Sequence, residues 1–201
     1  MRVTTKRGRP RSFDRDAALE IALREFWARG YEPTPVSVLA KAMGIGIPSL
    51  YAAFGDKKAL FREVVDVYSR TYGAFTERAL AAESSARAGV ARMLREAAAE
   101  YTTPDRPNGC LVISAATNCG PDSADIEELL RTRRNANIAA IEQRVRSDVE
   151  AGILPPETNP AALARLTAVT IQGMSQQARD GATRSDLEGV AELAMSAWPN
   201  A

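Results

Sequence analysis

An all-helical protein is predicted by three features of the sequence. Apolar residues recur at helical spacing along the chain, residues that start and stop helices bracket these runs, and two short runs near the N-terminus are joined by a glycine turn. About nine helices are expected, divided between an N-terminal three-helix module and a larger C-terminal helical domain.

Composition limits what such a protein does. Hydrophobic residues make up 45% and charged residues 25%, and no apolar run approaches the roughly 20 residues of a membrane span, so no membrane partner is expected. The first residues are basic and polar without a secretory apolar stretch, and the only cysteines are Cys110 and Cys119, which fits a cytoplasmic protein. Histidine is absent, removing the commonest acid–base catalyst and metal ligand. No nucleophile elbow, phosphate-loop Gly-Lys motif or metal-ligand spacing occurs, so no catalytic residue, metal or cofactor is predicted. Charge is divided unevenly: residues 1–62 hold 12 Lys and Arg against 6 Asp and Glu, while the remainder is acidic. A basic head on an acidic body points to a polyanion met by the head alone.

The head reads as follows. Asp14 caps a first helix through Arg29, with Ala18, Ile21, Ala22 and Phe26 on its apolar side and Gly30 as the stop. Thr34 and Pro35 start a second helix, the threonine as its N-cap, and it ends near Met43. Gly44 supplies a left-handed turn residue, Pro48 opens a third helix to about Phe54, and Gly55 interrupts it. Two short helices joined by a tight turn and braced by a longer one form a helix-turn-helix, whose second member enters a DNA major groove.

The run from Thr34 to Leu60, including Gly44-Ile-Gly-Ile-Pro-Ser-Leu-Tyr51 and Phe54-Gly-Asp-Lys-Lys58, resembles the N-terminal signature of the tetracycline-repressor (TetR) family, gap-free from Phe13 to about Arg62. The resemblance implies a DNA-binding regulator in three parts: a basic arm at 1–12, a reading head at 13–56, and a ligand-binding and dimerisation domain at 57–201. It implies double-stranded DNA contacts from Thr34 to phosphate, from Ile47, Pro48 and Ser49 toward base edges, and from Tyr51, Lys57 and Lys58 to the backbone. Gly46 and Ile47 depart from the polar residues usual there; Ile47 can pack only on a thymine methyl. Arg7, Arg9 and Arg11 resemble a minor-groove hook, the alternative being a solvated tail.

In the body, Asp56 caps a fourth helix from Lys57 to about Ala82, with a stripe through Leu60, Val64, Tyr68 and Phe75. A fifth helix is expected over Gly89–Tyr101, followed by a Pro- and Gly-rich loop at 102–109. Cys110–Cys119 reads as a buried sixth helix closed by Gly120 and Pro121, and a seventh spans about Ser123 to Ala151. Asn159 and Pro160 open an eighth that Gly181 stops, and Thr183 with Asp186 forms a capping box for the ninth. These last two carry apolar faces, and two copies would form the four-helix dimer interface that the family resemblance implies, through Leu166, Val169, Gly173, Leu187, Val190, Leu193, Ala194 and Trp198. Such a homodimer reads a palindromic operator.

By the same resemblance an unidentified small-molecule effector sits in a pocket of the C-terminal domain lined by Tyr72, Phe75, Tyr101, Cys110, Ile113, Thr117, Asn137 and Gln172. Its occupancy would release the operator, repression being the family default. The two cysteines are nine apart, which on a helix puts them on opposite faces about 13 Å apart along the axis. They read as small buried hydrophobes or, at Cys110 near a helix start, as a thiol sensing an electrophile or oxidant. A helical adaptor that binds only proteins is the alternative from another class.

Overall fold

The computed structural model describes residues 13–199 and contains, within them, ten α-helices, one short 3-10 turn and no strand. The first three helices, α1 (Arg15–Arg29), α2 (Val36–Met43) and α3 (Ile47–Phe54), make the reading head. Asp14 caps α1 by accepting from the amides of Asp16 and Ala17. Gly44, at φ 66°, takes the left-handed turn after α2, and α2 and α3 meet at 95°, the angle of a helix-turn-helix. Their core is Leu39, Leu50 and Phe54 packed under Leu23 and Phe26 of α1.

The fourth predicted helix is two. α4 (Lys57–Arg70) ends where the Gly73 amide reaches back to the Tyr68 carbonyl at 2.8 Å, and α5 (Phe75–Ala82) restarts after the turn. A Cβ on Gly73 would stand 3.0 Å from the Tyr68 ring, so this residue lets the turn fold onto the aromatic side chain. α6 (Ala86–Tyr101) begins three residues earlier than expected, because the Ser85 hydroxyl caps the Ala88 amide and buried Asp148 holds the Ala86 amide at 2.5 Å.

A ten-residue sixth helix does not form. Only one turn, α7 (Leu111–Ser114), is helical, because the Ala115 carbonyl accepts from the Tyr31 amide of the reading head at 2.7 Å instead of continuing a helix. After the 3-10 turn Pro121–Ser123 come α8 (Ala124–Glu150), α9 (Pro160–Arg179) and α10 (Arg184–Ser196). Asn159 caps α9, and the capping box between Thr183 and Asp186 opens α10 as expected. Among the described residues no single helix is long and apolar enough to cross a membrane.

An aromatic stack joins head to body. Phe26 and Tyr31 lie against Phe61, and Trp27 against Tyr68 and Tyr72, with ring centroids 4.9–5.9 Å apart. The Trp27 indole donates to the Gly109 carbonyl at 3.1 Å, so α1 is bonded directly to the segment that leads into α7.

Candidate nucleic-acid interface and effector cavity

α3 has two unlike sides. Leu50 and Phe54 are locked into the head, whereas Ile47 and Tyr51 are large side chains left 41% and 47% exposed, with Pro48 exposed and Ser49 half-buried at the leading end. Ile47 and Tyr51 are four residues apart, so they share the outer side of α3. The side of α3 that faces inward is pinned at its C-terminal end: Arg15 donates to both Glu63 carboxylate oxygens at 2.7 Å, lies 4.5 Å from the Phe54 ring centroid and donates to the Ala53 carbonyl. No side chain caps α2 or α3, so their first amides are free to face an anion.

Thr34 does not occupy the expected place. It is fully buried and its hydroxyl donates to the Gly30 carbonyl at 2.7 Å, tying the α1–α2 turn, while Pro35 stands at the N-cap of α2. A hydroxyl spent inside the head cannot cap α2 or reach a phosphate. The exposed positions at the start and outer face of α2 are instead Ser37 and Lys41, and Lys41 forms no ion pair among the described residues. Sequence reasoning passed over both; a lysine on a two-turn helix beside the reading helix was the available signal.

The two lysines of α4 are engaged within the chain. Lys57 stands 4.2 Å from the centre of the Tyr31 ring, and burial pushes its pKa down. Lys58 binds Asp125 at 2.6 Å and the Asp122 carbonyl at 2.8 Å, and Arg62 binds the other oxygen of Asp125 at 3.0 Å. Hydrogen bonding from Lys58 holds the Asp125 carboxyl below its usual range. Glu32, on the head, accepts from the Gly120 amide. The segment 120–125 is thus held by Glu32 of the head on one side and by Lys58 and Arg62 of α4 on the other. Arg7, Arg9 and Arg11 lie outside the described residues.

Between α4 and α9 lies a cavity of about 470 Å³. Of the expected lining, Phe75, Tyr101, Cys110, Ile113, Asn137 and Gln172 are brought together there. Tyr72 and Thr117 are not. Tyr72 turns outward, its hydroxyl donating to Glu20 at 2.7 Å and its ring packed on Trp27, and Thr117 is exposed in the stretch where the expected helix does not form. Tyr68, Met93, Ala168, Arg133, Arg134 and Arg144 are among the further lining residues and were missed. Both cysteines are free, and burial raises the Cys110 thiol above its ordinary pKa, as it does the phenols of Tyr68 and Tyr101 beside it. Burial of this kind disfavours the thiolate, which is the nucleophilic form.

The segment Gly109–Ala116 touches cavity and head together. Cys110, Val112 and Ile113 line the cavity, while the Gly109 and Ala115 carbonyls accept from Trp27 and Tyr31. Gly109 takes φ 76°, and a Cβ there would lie 2.6 Å from the Ser175 carbonyl of α9. Only glycine permits that approach.

On the far side, α9 and α10 leave Leu166, Val169, Val190 and Leu193 exposed, Leu193 to 74%, with Gly173 exposed and Ala194 half-buried among them. Leu187 and Trp198 do not join this face: they are buried against their own chain. A stripe of exposed apolar residues on two adjacent helices is the kind of surface a second copy covers.

Comparison with known proteins places these features. Residues 18–64 match the model for bacterial regulatory proteins of the tetR family, and residues 89–191 that for a tetracyclin repressor-like C-terminal domain. The chain is 37% identical to the HTH-type transcriptional repressor ComR of Escherichia coli strain K12 over 98% of its length and 94% of that protein's. It is 32% identical to the HTH-type transcriptional repressor BdcR of the same organism over 59% of its length and 60% of that protein's. Among solved structures, a cysteine mutant of the TetR family transcriptional regulator CifR complexed with 26-bp double-strand operator DNA superposes with a TM-score of 0.91 at 42% identity, covering 95% of this chain and 100% of that one.

Proposed function

This chain belongs to the TetR family of bacterial regulatory proteins, and we propose that it is a homodimeric transcriptional repressor that grips a palindromic operator through α3 and releases it when a small molecule fills the cavity. The observation that carries the reading is the division of α3 into a locked side, Leu50 and Phe54, and an exposed side, Ile47, Pro48 and Tyr51, on a head whose close structural relative is an operator complex. Ile47 packs on a thymine methyl, Tyr51 donates to a phosphate, and the uncapped starts of α2 and α3 approach the backbone. Pairing of two protomers through Leu166, Val169, Val190 and Leu193 sets two reading helices about one DNA turn apart, roughly 34–36 Å.

Release follows from the shared segment. A ligand that presses on Val112 or Ile113 displaces the stretch whose carbonyls hold Trp27 and Tyr31, and so reorients the head. The ligand need favour the displaced state only by about 1 to 3 kcal/mol to weaken operator affinity about five- to 150-fold. Burial of Cys110, which disfavours its thiolate, favours occupancy over thiol chemistry as the trigger. The protein is a cytoplasmic regulator and not a catalyst.

Sequencing the genomic fragments retained by the purified protein tests this. Enrichment of an inverted repeat upstream of a small set of genes is expected; retention without sequence preference, or none, would sink the repressor reading and favour a protein-binding adaptor.

A further inference from the structure

Among the described residues three guanidinium groups line the cavity, all from α8, and they differ in what neutralises them. Arg133 pairs with Asp66 at 2.5 Å, and Arg144 pairs with Asp148 at 3.3 Å while donating to the Leu80 and Glu83 carbonyls. Arg134 is half-buried and makes one hydrogen bond, from Nη1 to the Val112 carbonyl at 2.8 Å, with no carboxylate in ion-pair reach among the described residues. Burial lowers its pKa. Among the described residues Glu77 is the one carboxylate in the wall, and it is exposed on α5. A guanidinium in a partly desolvated wall with no carboxylate in contact, Glu127 acting on it only from a distance, is costly, and an anion arriving beside it recovers part of that cost. The remaining wall is mainly apolar, from Phe75, Leu80, Met93, Ile138 and Ile141, with the amides of Asn137 and Gln172 and the hydroxyls of Ser69, Thr76, Tyr68 and Tyr101 among its neutral polar groups.

We propose, resting on the reading of this cavity as the effector site, that the effector is a small amphipathic anion, a carboxylate on an aromatic or aliphatic body, whose charge Arg134 receives. About 470 Å³ suits a compact molecule, since such pockets run from about 300 to 1,000 Å³. The fork of a guanidinium matches a carboxylate with two parallel hydrogen bonds. The same residue links binding to release: a ligand carboxylate competes with the Val112 carbonyl for Arg134, and Val112 lies in the segment bonded to Trp27 and Tyr31. Drawing Arg134 to the ligand frees that segment.

Isothermal titration of the full-length protein with 4-phenylbutyrate and its uncharged analogue 4-phenylbutyramide tests the proposal, in wild type, Arg134→Met and Arg134→Lys. The wild type is expected to prefer the carboxylate by roughly tenfold or more. Arg134→Met should erase the preference, chiefly through loss of carboxylate affinity, and Arg134→Lys should restore part of it. Because the preference is a ratio within each variant, a general loss of stability does not imitate the result. Equal affinity for both compounds in wild type, a preference that survives in Arg134→Met, or failure of the wild type to bind the carboxylate would each overturn the assignment. Operator anisotropy with the same compounds separates this from the repressor reading. Arg134-dependent binding that leaves the operator bound contradicts release alone, whereas release by the amide at the same concentration as the acid contradicts the anion.

Discussion

Replacing Asp125 by alanine removes the one carboxylate shared by Lys58 and Arg62, whose Nζ and Nη2 lie 2.6 and 3.0 Å from its two oxygens. All three side chains are between 39% and 49% exposed, so solvent screens both pairs and neither contributes much to folding. The Tm should therefore move by no more than about 2 °C. DNA binding should respond more. The clasp competes with phosphate for the same two cations, and opening it leaves them free on the first turns of α4, beside the head. If one of them gains a phosphate, the slope of log K against log salt steepens by about 0.9. Operator affinity at low salt should rise about two- to fivefold, and part of that gain should disappear between about 50 and 200 mM salt. Fluorescence anisotropy across a salt series measures both quantities. Unchanged slope and affinity would show that Lys58 and Arg62 stay away from DNA. Weaker binding would show that the clasp holds the reading head in its DNA-competent position, the opposite of competition.

Tyr51→Phe should weaken operator binding about three- to tenfold in the same assay while leaving the melting temperature unchanged, since the ring is half-exposed and only its hydroxyl is lost. Gly109→Ala should destabilise the protein by about 3 kcal/mol or more, read by thermal melting, because φ 76° and a Cβ 2.6 Å from the Ser175 carbonyl combine strain with a backbone clash. Leu193→Asp should convert the dimer to a monomer in light scattering with little change in helicity, for Leu193 is 74% exposed in the protomer. Alkaline titration should show Tyr31 resisting ionisation, burial having pushed its pKa up to about 12, with Tyr68 and Tyr101 raised for the same reason. A raised folded-state pKa stabilises the fold fully below the unfolded value and loses that contribution as pH climbs through the folded one. Stability should thus fall from about pH 10 toward about 12, with phenolate absorbance rising in step with loss of helical circular dichroism.

The reading head was legible because its helices are short and punctuated by residues with strict backbone roles. Gly30, Gly44 and Gly55 end α1, α2 and α3, two of them with φ near 90° or 80° and the third at 66°. The amphipathic stripe of α4, by contrast, runs on through Phe75, and Thr71-Tyr-Gly-Ala74 contains no proline, so nothing local reveals that Gly73 folds onto the Tyr68 ring. The apolar run Cys110–Cys119 has the length of a helix; its Ala115 carbonyl is captured by Tyr31, 84 positions earlier in the chain, which no local pattern contains. Thr34 misled for the same reason. Thr-Pro before an apolar run reads as a cap, but the neighbouring turn takes the hydroxyl inward.

The cavity followed a similar division. Aromatic and amide residues such as Phe75, Tyr101, Asn137 and Gln172 could be named from their helices. Arg134 could not, because Arg131, Arg133 and Arg134 together look like one solvated face, and only the packing of α8 against α7 selects which guanidinium lines the cavity with its charge unpaired. On α10, Leu187 and Leu193 are equally apolar in sequence. Packing against α6 and α9 buries the first and leaves the second outside.

Sequence-specific DNA binding by the exposed side of α3 is tested directly by one titration. A labelled duplex carrying the DNA just upstream of this protein's own gene is titrated by anisotropy across a salt series, against a scrambled duplex of equal length. Binding to the upstream duplex is expected to be about a thousandfold or more tighter than to the scrambled one and to weaken linearly in log salt. Equal affinity for both duplexes, or no binding to either at low salt, would contradict it.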